Sequence, residues 1–111
     1  MGAQMAIIVM TWENPADSTK ARGANERAKE WRATVLRQPG IVEYSAFVNR
    51  IGARDMAVDS FATVGDAAAF LGSQDFTDIV TEMKAFGVTN IDTQLLERHA
   101  DVPEALRSAQ R

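Results

Sequence analysis

IVEYSAFVNRIGARDMAVDSFA, residues 41–62, is the stretch on which the fold turns. In its first half Val42, Tyr44, Ala46 and Val48 alternate with Glu43, Ser45, Phe47 and Asn49, the two-residue period of a strand over residues 41–50. In its second half Met56, Val58, Ser60 and Ala62 alternate with Ala57, Asp59 and Phe61. Residues 50–55 lie between them, and Gly52 supplies the backbone freedom of a hairpin connection. Each strand therefore has a greasy set and a mixed set. Matching mixed with mixed puts Ser45, Phe47, Asn49, Asp59 and Phe61 on one sheet face.

On the N-terminal side, residues 25–38 are helical in pattern: Ala24, Ala28, Trp31 and Val35 form one stripe, and Glu26, Arg27, Lys29, Glu30 and Arg32 fall outside it as a solvated face. Pro39-Gly40 ends that helix. Before it, residues 5–13 read as a central strand, apolar on both sides through Ile7, Ile8, Val9 and Met10, and stopped by Asn14-Pro15. Residues 14–25 are polar and fit either an early helical turn or a loop. On the C-terminal side a short helix over residues 66–71 breaks at Gly72. Ser73 is then a good N-cap for a longer helix carrying Phe76, Ile79, Val80, Met83 and Phe86, with Gly87 as its stop. Residues 88–98 alternate as a last strand, and residues 100–111 form a tail with a short capped helix at Val102-Pro103. The order is β-α-β-β-α-β, a ferredoxin-like α+β domain with an antiparallel sheet and its helices on one face.

Composition narrows the function. At 111 residues, 46% hydrophobic and 24% charged, the chain reads as one ordinary domain spanning 1–111, small enough for a partner to add much to its stability. With no cysteine it offers no disulfide, no thiolate nucleophile and no cysteine-held zinc or iron–sulfur cluster. No metal site and no cofactor are expected. The apolar run at residues 5–10 is too short to cross a bilayer, and a cytoplasmic protein that binds no membrane is the expectation. A net charge of −3 with scattered basic residues gives no footprint for nucleic acid. Asp55 and Asp59 beside the strand aromatics argue against RNA binding through the sheet.

The two helices can bury only one sheet face, and large side chains such as Phe47 and Phe61 are assigned to the other. Leaving each in water forfeits roughly 1.5–3 kcal/mol, so a second copy of the chain is the expected cover, as a homodimer. Ser45, Asn49 and Asp59 on the same face make the enclosed space partly polar, as a small-molecule pocket is. Asp59 reads either as a desolvated base or as a salt-bridge partner. Trp12, at the exit of the first strand, fits core or a cavity mouth equally. Trp31 reads as core, and His99, the lone histidine, as a solvated strand end.

Three runs carry a family likeness. Gln38-Pro39-Gly40-Ile41-Val42-Glu43-Tyr44 is similar to the Pro-Gly, hydrophobic, x, x, Tyr opening of the second strand in antibiotic biosynthesis monooxygenase-like domains of the dimeric α+β barrel superfamily. Ser60-Phe61-Ala62-Thr63 feeding an alanine-rich helix, and Gly72-Ser73-Gln74-Asp75-Phe76 opening the long helix, resemble the same family. The resemblance implies a dimeric α/β barrel and a cofactor-independent monooxygenase or isomerase acting on a small aromatic or apolar substrate. Asp59 and Asn49 are the catalytic candidates, and Trp12, Ser45, Phe47, Asn49, Asp59 and Phe61 the substrate-binding ones. Residues 73–87 hold no histidine, so the haem chemistry of some relatives is not implied. The alternative is a non-catalytic ligand-binding or dimerisation module.

Overall fold

Ala6, Ile8 and Met10 are buried on one side of β1 (Ala6–Glu13), and Ile7 and Val9 are half-buried on the other. A strand apolar on both faces belongs in the middle of a sheet, and β1 lies there. In the computed structural model, which describes residues 5–97, the four-stranded sheet has the order β2-β3-β1-β4. β2 is Ile41–Phe47, β3 Arg54–Phe61 and β4 Thr89–Glu97, and every pairing is antiparallel. Three helices, α1 (Ser18–Leu36), α2 (Val64–Leu71) and α3 (Gln74–Ala85), complete the β-α-β-β-α-β order. His99 and the 100–111 tail lie outside the described residues. Among those described, no helix is long and apolar enough to cross a membrane.

Local chemistry sets the boundaries. Asp17 caps α1 by accepting the Lys20 N–H at 2.9 Å, which makes residues 18–24 of the polar stretch the first turns of the helix and leaves 14–17 as the connection from β1. Ser73 caps α3 through the Phe76 N–H, and Thr63 caps α2 through the Asp66 N–H. Gly40 joins α1 to β2 at φ +81°, where a Cβ would lie 2.7 Å from the Asp66 Cβ. Gly40→Ala is therefore expected to cost at least about 2 kcal/mol, read as a lower urea midpoint. The core lies between the sheet and the helices, with Ile8, Phe61 and Ala67 fully enclosed and Phe70 stacked on Phe61 at 5.9 Å.

The face assignment of β3 has to be corrected. Ala57, Asp59 and Phe61 are buried toward the helices, and Met56, Val58 and Ser60 point the other way. In register, Tyr44 stands opposite Asp59 and Ala46 opposite Ala57, while Ser45 stands opposite Val58 and Phe47 opposite Met56. The greasy set of β2 thus shares a face with the mixed set of β3. Alternation says which residues lie together and is silent on which side is the core. Phe61 is accordingly core, and only Ser45 and Phe47 of the five lie on the face without helices. That face carries Ile7, Val9, Phe47, Met56, Val58 and Leu96, with Phe47 54% and Leu96 44% exposed.

Candidate functional site

Between the sheet and the helices lies a cavity of about 100 Å³. It is somewhat smaller than the ~150 Å³ apolar cavity that accepts a benzene ring in an engineered protein. Met10 of β1, Ala57 and Asp59 of β3 and Tyr44 of β2 face it from the sheet. Trp31 of α1 and Phe70 and Phe76 wall it, and these last two rings meet edge to face at 5.4 Å. Small residues make the room: Ala57 on the strand, and Ala24 and Ala28 one turn apart on α1. Asp59, which the alternation assigns to the helix-free face, instead faces this cavity inside a single protomer, because the polar group of β3 points into the helix layer.

Asp59 is the chemical centre of this space. It is 7% exposed, and its Oδ1 is buried without a hydrogen-bond donor among the described residues. Burial pushes its carboxyl up to about 6. Its cross-strand neighbour Tyr44 is raised first by its own burial and then by the negative charge of Asp59, with Arg32 acting in the opposite sense. The Arg32 guanidinium lies 5.9 Å from the centre of the Tyr44 ring, a cation–π contact that brings positive charge to the cavity wall. A buried oxygen without a donor costs roughly 1–3 kcal/mol. A ligand that brings a hydroxyl or an acidic C–H to this carboxylate would recover that cost.

The mouth is polar and tied together. Trp12 donates from Nε1 to Asn14 Oδ1 at 3.1 Å, and Asn14 donates from Nδ2 to Asp55 Oδ2 at 2.6 Å. The other oxygen of Asp55 accepts the Asn49 backbone N–H at 3.1 Å. This chain links the end of β1 to the start of β3 and fixes the Trp12 ring at the rim.

The candidate residues divide. Trp12 and Asp59 line the cavity. Phe61 lies beneath it in the core, stacked on the wall residue Phe70. Asn49 is elsewhere: its Oδ1 accepts the N–H groups of Ile51 at 2.9 Å and Gly52 at 2.7 Å, so its side chain builds the β2–β3 turn. Ser45 and Phe47 lie on the opposite sheet face. Tyr44, Arg32, Asn14 and Asp55 were not recognised as site residues from sequence. Arg32 belongs to a helix face that reads as solvated, and only the β2–β3 register brings Tyr44 beside Asp59. Among the described residues no group of His, Cys, Asp and Glu side chains is arranged to hold a metal.

No protein-family description and no curated protein matches the sequence. Solved structures do match, in fold. The chain superposes on SnoaB, a cofactor-independent oxygenase from Streptomyces nogalater, with TM-score 0.70 and 15% identity, covering 91% of this chain and 99% of that one. A protein of Deinococcus radiodurans provisionally assigned as an antibiotic biosynthesis monooxygenase gives TM-score 0.73 at 13% identity, over 85% of this chain and 92% of its own. MupZ from Pseudomonas fluorescens gives 0.67 at 14%, over 98% and 78%. The chain has the α+β ferredoxin-like fold of the antibiotic biosynthesis monooxygenase domains.

Proposed function

We propose that this protein is a cofactor-independent oxygenase for a small, largely apolar aromatic substrate, with Asp59 as the proton acceptor. The observation that carries the reading is a carboxylate buried without a donor among the described residues, its proton affinity raised toward neutrality, at the wall of an aromatic cavity. Ground-state dioxygen reacts poorly with closed-shell molecules and far better with electron-rich anions. A base that removes the proton of an acidic ring-bound CH₂ supplies such an anion. The balanced outcome is CH₂ plus O₂ giving C=O plus H₂O, with the first proton resting on Asp59 until water leaves. The apolar walls suit dioxygen and hold the ring in place, and Tyr44 and Arg32 place a donor and a positive charge where negative charge develops. SnoaB, which shares this fold, is described as a cofactor-independent oxygenase.

The proposal includes a homodimer in which the helix-free sheet faces pack on each other and close a barrel. Its support is the set of exposed apolar side chains around Val58, among them Phe47, Met56 and Leu96, on a sheet face that none of the described helices covers.

Oxygen uptake tests the enzymatic part. A panel of one-ring aromatic ketones with an activated CH₂ is expected to include substrates whose oxygen consumption rises with pH through about 6, as Asp59 gives up its proton. Binding of such compounds with no oxygen uptake at any pH would instead leave a ligand-binding module.

A further inference from the structure

Trp31 faces two spaces. It walls the cavity that holds Asp59, and it also lines a separate surface groove of about 180 Å³ between α1 and α3, whose rim carries Arg27, Thr34, Asp78 and Glu82. Ile79 is the other residue common to both. The indole and this one aliphatic side chain thus border both groove and cavity.

Among the described residues the polar tether of the indole is a single bond. Trp31 Nε1 donates to Glu82 Oε1 at 2.8 Å across the α1–α3 interface. Glu82 is in turn gripped by Arg27, whose Nε reaches Oε1 at 2.6 Å and whose Nη2 reaches Oε2 at 3.1 Å. These bonds hold the Glu82 carboxyl down at about 2, Arg27 contributing most and Trp31 next, so the carboxylate is a charged acceptor at every physiological pH. The side chains of Arg27 and Glu82 remain 43% and 37% exposed. Water and salt compete with a pair in that position, which makes it a fastening that opens at small cost. On its other flank Trp31 meets Phe86 edge to face at 6.1 Å. The next residue of the stripe toward the N-terminus is Ala28, too small to block a swing of the ring.

We infer that Glu82 is a positioning residue that latches Trp31 shut, and that the α1–α3 groove, apart from the mouth at Trp12, is a second route to the Asp59 cavity that opens when this latch releases. The inference rests on the proposed ligand-binding role of the cavity and adds a route of access. Arg27 strengthens the latch without touching the ring. Ile79, buried at 8% exposure, is the fixed post against which the indole closes.

Stopped-flow binding of 4-nitrophenol tests it. This one-ring compound carries a hydroxyl for Asp59, absorbs where tryptophan emits, and is read through Trp12 and Trp31, the two tryptophans of the chain. In Glu82→Ala the association and dissociation rates are both expected to rise about tenfold, with Kd changed by less than about twofold, because a gate alters the barrier and leaves the bound state alone. Glu82→Gln, which keeps an acceptor and loses the charge, should fall between. Added salt should speed the wild type and leave Glu82→Ala unchanged. A lower melting temperature in Glu82→Ala with wild-type rates would make the residue merely structural and overturn the latch. Failure of the wild type to bind 4-nitrophenol, or binding that survives filling the cavity with Ala57→Phe, would overturn the cavity reading and the latch with it.

Discussion

Asp59→Asn is expected to yield a protein that is more stable at neutral pH and catalytically silent. The carboxyl titrates at about 6 in the folded chain against 3.8 for an ordinary aspartate, so the native state holds this proton more tightly than the unfolded one. Stability from this group is then fullest at acid pH, declines as pH rises from about 4 to 6, and stays low above that. A displacement of this size costs about 3 kcal/mol at pH 8. Asparagine does not ionise, so the variant escapes the decline. Urea unfolding should show it about 2–3 kcal/mol more stable than wild type at pH 8, with the difference shrinking toward zero at pH 4. Oxygen uptake should fall by about 10²–10⁴-fold, the usual worth of a general base. A variant less stable than wild type at pH 8 would mean that the carboxylate has a favourable partner in the fold, and it would remove the ground for its basicity.

Val58→Asp has the second large effect. Val58 lies on the helix-free face between Val9 of β1 and Ser45 of β2, at the middle of the apolar set. If two such faces pack together, an aspartate there is an unpaired charge buried in each copy, worth about 3–5 kcal/mol. Sedimentation should show a dimer for the wild type and a monomer for the variant at micromolar concentration. The helix-side core is untouched by this change, so the monomer is expected to keep its helical circular dichroism. A wild type that sediments as a monomer would contradict the proposed pairing of sheets.

Much of the architecture was legible because each element carries its own local signal. Ser73 and Gly87 bracket α3, Pro39-Gly40 ends α1, and the doubly apolar run of β1 announces a central strand. The start of α1 was not legible, since its first turns bury little beyond Ala24 and their pattern is nearly all polar. The site was half legible. Trp12 and Asp59 stood out by residue type, and both line the cavity. Their surroundings were misplaced because the phase between β2 and β3 is set by tertiary packing, helped by an irregularity in register between Ile41 and Glu43. An aspartate among Ala57 and Phe61 made the core-facing set look like a solvent-facing one. Tyr44 and Arg32, which join Asp59 only across elements, had no short-range signature.

A crystal structure with 4-nitrophenol bound is the most direct test of where this protein does its work. The ring should lie between the sheet and α1, against Trp31, with its hydroxyl within hydrogen-bond distance of Asp59. A ring found instead between the helix-free sheet faces of two copies, against Phe47 and Val58, would contradict the assignment of the site to the single protomer.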